Sequence, residues 1–511
     1  MSNPELELDH YDVIVIGTGL AESIAAASLA KAGKSVLHLD PNEYYGGEQA
    51  SLTLDELVEW SNSQSSSTSS SSSSWNVKYG STSTTPLDES LQNDRRRYAL
   101  SLFPAILPSR GDLIDTLISS DVSKYVSFRI LDSISLYTSE GEFKKVPGSK
   151  EEIFKDKTIS LMDKRKLMKF LLFAASEFEE SEILKGKESQ PLIQFLQESF
   201  SLPTPLSESI IYAISHCSSP TEPNLPALKR TRRYLKSIGR YGNNAFLVGQ
   251  YGGAGEIAQG FCRACAVFGG TYILGPSAKP TSLSTSSEGV TLDIPCHPRP
   301  VTGRYLISSP NHIPQILFGT TPSGDPDEGH HIAHCIAVTR TLPEALRRKP
   351  ISSQETIEQE QEQEQVENDD TSLIVFPTEN GGVVRCYVNG EGTGSCPPGQ
   401  YIIYLSTSIS PTFTTSPSEM LKPYLAKITH DSVFTAYYVS SRPSSASIPA
   451  SVSDKIIVLK PYAGSELVTG GLDWEARQGE VAYRAVMGEG GKGFFEKDIT
   501  EEEEMGIEDD M

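Results

Sequence analysis

The chain has 511 residues, 38% of them hydrophobic, long enough for one large domain and a smaller one, each with its own core. A formal charge of -22 argues against a nucleic-acid partner, whose phosphates demand basic patches, and against electrostatic docking on anionic lipid; a partner with a basic face fits better. Seven cysteines, an odd number with none closely framed, predict reduced thiols in the cytosol, not a disulfide scaffold.

The segment from Met1 to His10 is acidic and the apolar runs after it are strand-length, so neither a signal peptide nor a membrane span is expected. Val13-Ile14-Val15-Ile16 is a continuous β-branched run, the pattern of a strand buried on both faces of a parallel sheet. Gly17-Thr18-Gly19 ends it, a helix follows from Leu20 to Ala32 with Gly33 as its stop, and Ser35 to Leu39 reads as a second strand ending at Asp40. This β-α-β unit opens a doubly wound α/β fold.

Residues Asn62 to Pro86 are mostly serine and threonine, with Ser69 to Ser74 unbroken, and predict a disordered insertion loop. From Ser160 to Cys217 apolar residues recur at three-to-four-residue spacing, as in Leu192, Ile193, Leu196 and Phe200, which predicts a small all-helical domain over 151–227. The large domain then has two parts, 1–150 and 228–495. The second part holds strand candidates at Ile316-Leu317-Phe318, Leu373 to Phe376, Tyr401 to Leu405, Phe434 to Val439 and Ile456 to Leu459. An acidic insertion over 353–370, running through the Glu/Gln tract from Gln354 to Asp370, and an acidic tail over 496–511 are expected to be solvated and mobile. Asp509-Asp510-Met511 offers no prenylation cysteine, so no anchor by that route is expected.

A dinucleotide fingerprint needs glycine at the turn, glycine where backbone approaches pyrophosphate, and a third small residue where the helix packs on the strand. Here Gly17 and Gly19 fill the first two places and Glu22 the third. A carboxylate at the helix N-terminus repels the phosphate that the helix dipole would attract. Asp40 stands where an acidic residue could hold a ribose, so the turn reads as vestigial, and no cofactor and no catalytic residue are expected.

Other candidates have plainer readings. Cys262-x-x-Cys265 is a single pair at helical spacing and reads as buried packing residues; His330, His331 and His334 near Cys335 read as solvated or packed histidines, and no metal is expected. Tyr44-Tyr45 in isolation would be partly buried surface aromatics, and Phe170 and Phe173 ordinary helical core.

Tyr11 to Leu20 with Glu22, Val36-Leu37-His38-Leu39-Asp40 and Tyr44-Tyr45-Gly46-Gly47-Glu48 closely resemble the opening of the Rab GDP dissociation inhibitor and escort superfamily. A second block, Gly239 to Asn243 followed by Tyr251-Gly252, Gly255-Glu256, Gln259 to Arg263 and Val267 to Tyr272, is similar to that superfamily's other signature region. Leu235 to Asn243, the cysteine-bearing Phe261 to Phe268, the serine insertion and the length resemble the escort branch more than the inhibitor branch. Departures are Val248 to Tyr251, in place of a more apolar segment, and Ile257-Ala258, where the family usually has Leu-Pro; they bear on local loop geometry.

The resemblance implies an FAD/NAD(P)-binding-like large domain with a smaller helical one, and a non-catalytic accessory subunit of Rab geranylgeranyltransferase. It implies docking of GDP-bound, unprenylated Rab GTPases on Tyr45, Glu256, Arg263, Thr271, Tyr272 and Ile273, with the geranylgeranyl lipid sheltered between helices. It also implies binding of the transferase heterodimer, with Phe170 or Phe173 as contacts, and delivery of the product from the cytoplasm by transient membrane contact. The alternatives are an inhibitor that recycles prenylated Rabs and a flavin oxidoreductase, the latter suggested by Gly470-Gly471-Leu472-Asp473 ahead of the helical Glu480 to Val486.

Overall fold

The computed structural model describes residues 6–66, 77–148, 150–313, 329–348, 368–444, 448, 451–464 and 466–496. The β-branched run lies in strand His10–Ile16, where Val13 to Ile16 have no exposed surface. This strand pairs in parallel with Val36–Asp40 on one side and Val301–Ser308 on the other. The sheet continues outward from Val36–Asp40 to an edge strand, Thr271–Leu274, and from Val301–Ser308 to Val290–Asp293 and Ser282–Thr285. Ile456–Val458 also joins Val301–Ser308, in parallel.

Helix Leu20–Lys31 follows the first strand, and Gly33 closes it with φ +86°. Its Leu20, Ile24, Ala25, Ala26, Ala27 and Leu29 are all fully buried, because the helix is apolar on every side and is flanked by two others, Ala254–Val267 and Leu467–Met487. Small residues set the spacing. A Cβ placed on Gly479 would stand 2.6 Å from Ile24 Cγ2.

The second sheet is mostly antiparallel and runs in the order Lys78–Thr84, Ser432–Arg442, His330–Thr339, Tyr401–Ile409, Val383–Asn389, Thr371–Pro377, Ser133–Tyr137, Phe143–Lys145. It contains the strands expected at 373–376, 401–405 and 434–439, while the one expected from 456 falls in the first sheet. Ile316 to Phe318 lie outside the described residues.

The loop expected over 62–86 is corrected at both ends. Helix Leu54–Ser66 enters the segment and Lys78–Thr84 is a sheet strand; residues 67–76 lie outside the described residues. The reason is a pair of aromatic anchors that serine-rich composition conceals: Trp60 meets both Tyr79 and Tyr438 edge-on, each at 5.2 Å. The acidic insertion is likewise corrected at its end. Asp369 is buried and ion-paired to Arg348 at 2.6 Å, and Asp370 is held by Arg129 at 2.7 Å; residues up to 367 of that insertion, and 497–511 of the tail, are outside the described residues.

Between the sheets' sequence segments come helices Lys150–Lys155, Leu161–Ala175, Leu192–Phe200, Thr204–Glu208 and Asn224–Ser237, with a π-helical turn at Ser209–Ile214. Their apolar faces share a core built on Phe170, Phe178, Phe195 and Phe200, which also touches Leu136, Val375 and Val383 of the second sheet. The boundary expected at 227 falls inside helix Asn224–Ser237. From that helix Arg233 reaches the buried carboxylate of Asp473 at 2.8 Å, tying it to helix 467–487.

Gly479→Val is expected to overpack the contact with Ile24 and cost about 1–3 kcal/mol, read as a lower urea midpoint with an unchanged slope.

Candidate functional site

The glycine turn, the helix N-terminus and Asp40 come together, and their hydrogen bonds are already committed. Thr18 donates to Asp40 Oδ2 through its N–H at 2.8 Å and its hydroxyl at 2.6 Å, while the N–H and side-chain amide of Asn42 occupy Oδ1 at 2.8 and 2.9 Å. The Leu20 N–H donates to Gln49 Oε1 at 3.3 Å, and the Ser309 N–H to Glu22 Oε1 at 3.2 Å. Glu22 folds back over the turn so closely that a Cβ on Gly19 would stand 2.6 Å from its Oε2.

Beside this turn is a cavity of about 240 Å³, lined by Glu22, Glu48, Glu475, Tyr79 and Trp60 among others. Burial pushes Glu22 up to about 7, with the Asp40 charge adding, and pushes Glu475 up to about 8, with the charges of Glu22 and Glu48 adding. A dinucleotide does not fit these residues: its pyrophosphate would face Glu22 and displace Gln49, and its ribose would compete for a saturated Asp40. The cavity is also below the roughly 300–1,000 Å³ common for ligand pockets. The Gly470 to Asp473 segment is likewise no cofactor cover. It lies within helix 467–487, where Gly471 abuts Phe103 and Asp473 Oδ1 accepts from the Leu113 N–H at 3.1 Å.

On the other side of helix 20–31, helix 254–267 buries Ile257, Ala258, Phe261, Cys262 and Cys265 and turns Glu256, Gln259 and Arg263 outward. Spacings of three and seven residues place these on one stripe, with Glu256 and Arg263 about 10 Å apart along the axis. The Arg263 guanidinium lies 4.6 Å over the Tyr125 ring. Next to the helix is edge strand Thr271–Leu274, whose residues are all half-buried. Its Tyr272 is fixed by the His38 ring, with Nδ1 3.0 Å from the hydroxyl, and Tyr45 meets Tyr272 edge-on at 6.0 Å. Five of the six residues expected to dock a GTPase therefore lie on two successive elements, and the sixth, Tyr45, comes from a separate loop and packs against Tyr272.

Cys262 and Cys265 are buried thiols on the inner face, pushed up to about 12 and about 11 by burial, and Cys262 Sγ is 3.2 Å from Ser23 Oγ. His334 is buried and stacked on Tyr438 at 4.6 Å, His331 bonds Ser441, and His330 is exposed. One expectation is corrected: Phe170 is fully buried, 5.3 Å from Phe200, and is no surface for a transferase. Phe173 is half-buried against Phe178, Phe195 and Phe200. The exposed apolar residues of helix 161–175 are Leu161, Met162 and Leu172. Sequence reasoning also passed over Tyr125 and Tyr251, which flank Glu256 in space although neither shares its helix.

The profile of the GDP dissociation inhibitor family matches residues 7–317. The chain is 31% identical over 421 residues to the Rab proteins geranylgeranyltransferase component A of Saccharomyces cerevisiae, covering 79% of this chain and 62% of that one. It is 28% identical over 453 residues to the Drosophila melanogaster protein of the same name, covering 86% and 82%. The chain thus spans about three fifths of the length of the yeast relative. The crystal structure of Rab GDI from Plasmodium falciparum matches with a TM-score of 0.63 at 19% identity, over 93% of this chain and 98% of that chain, a likeness of fold.

Burial makes the folded chain hold protons on Glu22 and Glu475 more tightly than the unfolded chain does. The stability this contributes is full below their ordinary value of 4.5 and is lost as pH rises through about 7 and about 8. Denaturation midpoints measured from about pH 5 to about pH 8.5 are expected to fall, and to fall less in Glu475→Gln.

Proposed function

Because the chain belongs to the GDP dissociation inhibitor family, we propose that it is an escort protein: it binds GDP-bound, unprenylated Rab GTPases, presents them to the Rab geranylgeranyltransferase heterodimer and hands the prenylated product to membrane. The transferase supplies the catalysis and this chain none. The observation that carries the reading is the outward stripe of helix 254–267 beside edge strand 271–274, a surface with the Glu256 carboxylate, which has no ion-pair partner among the described residues, the Arg263 guanidinium and two tyrosines, on a scaffold whose nucleotide turn is closed by Glu22. Arg263 and Glu256 offer charge-assisted hydrogen bonds to the switch regions, and Tyr45 and Tyr272 offer rigid amphipathic area. The name shared by the yeast and fly relatives supports the same reading.

A geranylgeranyl chain left in water costs about 0.8 kcal/mol per exposed methylene, so the escort has to shelter it. The helical core is filled by Phe170, Phe178, Phe195 and Phe200, and a lipid enters there only as the helices part. The transferase docks on the exposed stripe of helix 161–175, through Leu172 with Phe173 at its margin. Among the described residues no helix is long and apolar enough to cross a membrane, and the chain works from the cytoplasm with transient membrane contact.

Reconstituted prenylation of a GDP-loaded Rab is expected to need this chain, and Arg263→Ala to weaken Rab binding by about 1–3 kcal/mol; prenylation that proceeds equally without the chain would refute the reading. Leu172→Asp is expected to abolish co-purification of the transferase while Rab affinity stays. A wild-type chain that binds prenylated Rab and never the transferase would be an inhibitor instead.

A further inference from the structure

Beside the glycine turn, away from the docking platform, three carboxylates and two aromatic rings line one cavity of about 240 Å³: Glu22, Glu48, Glu475, Trp60 and Tyr79. We propose that this cavity binds a small organic cation, a protonated alkyl diamine, with the rings as walls and the carboxylates as acceptors for its N–H groups. The site is independent of what docks on the platform.

The acids are short of cations. Glu475 is buried and makes no ion pair among the described residues, and Glu22 likewise makes none, its Oε1 accepting from the Ser309 N–H at 3.2 Å. Glu48 Oε2 stands 3.6 Å from Arg442 Nη1, which occupies that guanidinium. Lys460 is the remaining cation of the lining, because burial holds His312 below its usual value and neutral, while Asp40 is saturated by Thr18 and Asn42. The Tyr79 hydroxyl, in the wall of the same cavity, is buried with no hydrogen-bond partner among the described residues.

Other ligand classes suit these residues less well. An anion is repelled, and a neutral apolar molecule leaves the carboxylates and the Tyr79 hydroxyl without partners in a dry site. Among the described residues no three acidic, histidine or cysteine side chains converge as ligands for a metal ion, so the acids are too dispersed for one ion and suit an extended cation with a charge at each end. Trp60 and Tyr79 meet at 78° with centroids 5.2 Å apart, two perpendicular walls of the kind that receive ammonium groups. A cavity of about 240 Å³ exceeds the roughly 150 Å³ that admits benzene, so a chain of about six to eight heavy atoms fits. Burial keeps Glu22 and Glu475 partly protonated near neutral pH. A bound cation expels those protons, and binding tightens as pH rises towards about 8, where an alkylamine is still charged.

The test is isothermal titration calorimetry of the full chain with 1,4-diaminobutane at constant ionic strength. One site is expected, with a Kd on the order of 0.1–1 mM at about pH 8. At about pH 6 binding is expected to be about tenfold weaker and to release protons, seen as a heat that changes with the ionisation enthalpy of the buffer. Glu475→Gln is expected to weaken binding about tenfold at the higher pH and to remove most of the pH dependence; Trp60→Leu is expected to weaken it about three- to tenfold, and 1-aminobutane to bind about tenfold less tightly than the diamine. Glu288→Gln, an equal loss of charge at an exposed position of the hairpin between strands 282–285 and 290–293, is expected to change nothing. Thermal unfolding checks that each variant folds; where Trp60→Leu does not, Glu475→Gln decides, because its amide has the shape of the protonated acid. Titration with no saturable heat beyond that of potassium chloride, or equal binding by the wild type and Glu475→Gln, overturns the site. An affinity that falls as much in Glu288→Gln overturns it too, since that is attraction to the overall charge of -22.

Discussion

Helix 20–31 has no solvent-facing side. It lies beside the parallel sheet, with helices 254–267 and 467–487 packed along it, and its own residues are small enough for close approach: Ala25, Ala26, Ala27 and, across the gap, Gly479. Interiors are packed as densely as organic crystals, so a helix buried this way fixes the rotation of both neighbours. Fixing helix 254–267 through Phe261, Cys262 and Cys265 leaves Glu256, Gln259 and Arg263 as its outward stripe. Fixing helix 467–487 brings Glu475 to the cavity at the other end. Surface and cavity are two consequences of one packing arrangement.

That arrangement also explains how a carboxylate is tolerated where this fold elsewhere admits phosphate. At the helix N-terminus the dipole favours a negative side chain by about 0.3–1 kcal/mol, or up to about 2 when partly buried, and the Ser309 N–H adds a hydrogen bond. Desolvation of a buried carboxylate opposes this and is the larger effect, since Glu22 is pushed up to about 7 and not down. The turn is therefore closed by a residue that is itself close to its protonation point. The same carboxylate that is tolerable as a single, partly protonated charge becomes prohibitive beside a pyrophosphate, because like charges in a low-dielectric site repel far more strongly than in water.

Local chemistry was legible in the sequence where one residue decides the outcome. The run Val13 to Ile16 could only be a doubly buried strand, Gly33 a helix stop, and Glu22 an obstacle to phosphate. Burial in the helical segment was not legible: Phe170 and Leu172 sit two residues apart in the same apolar cluster, and only the rotation of helix 161–175 against Phe200 makes the first core and the second surface. Composition misled at the serine run, where Trp60 and Tyr79 supply the anchoring that serines lack, and at Asp369, whose ion pair with Arg348 offsets its burial. Tyr125 was not legible as a neighbour of Glu256, because it comes from a turn more than a hundred residues earlier in the chain, whereas Tyr251 lies only five residues before Glu256.

The platform helix and the helical unit are anchored in different ways. The platform stands on a parallel sheet and a fully buried helix, so a partner meets it with little reorganisation to offset. The helical unit is tied to the large domain by apolar packing on Leu136, Val375 and Val383 and by polar links, Arg230 to Glu466 at 3.1 Å and Arg233 to Asp473 at 2.8 Å, and contains a π-helical turn at Ser209–Ile214, a geometry that is rare and often found at functional positions. Its core is built on Phe170, Phe178, Phe195 and Phe200, so parting those helices would expose apolar surface and be unfavourable.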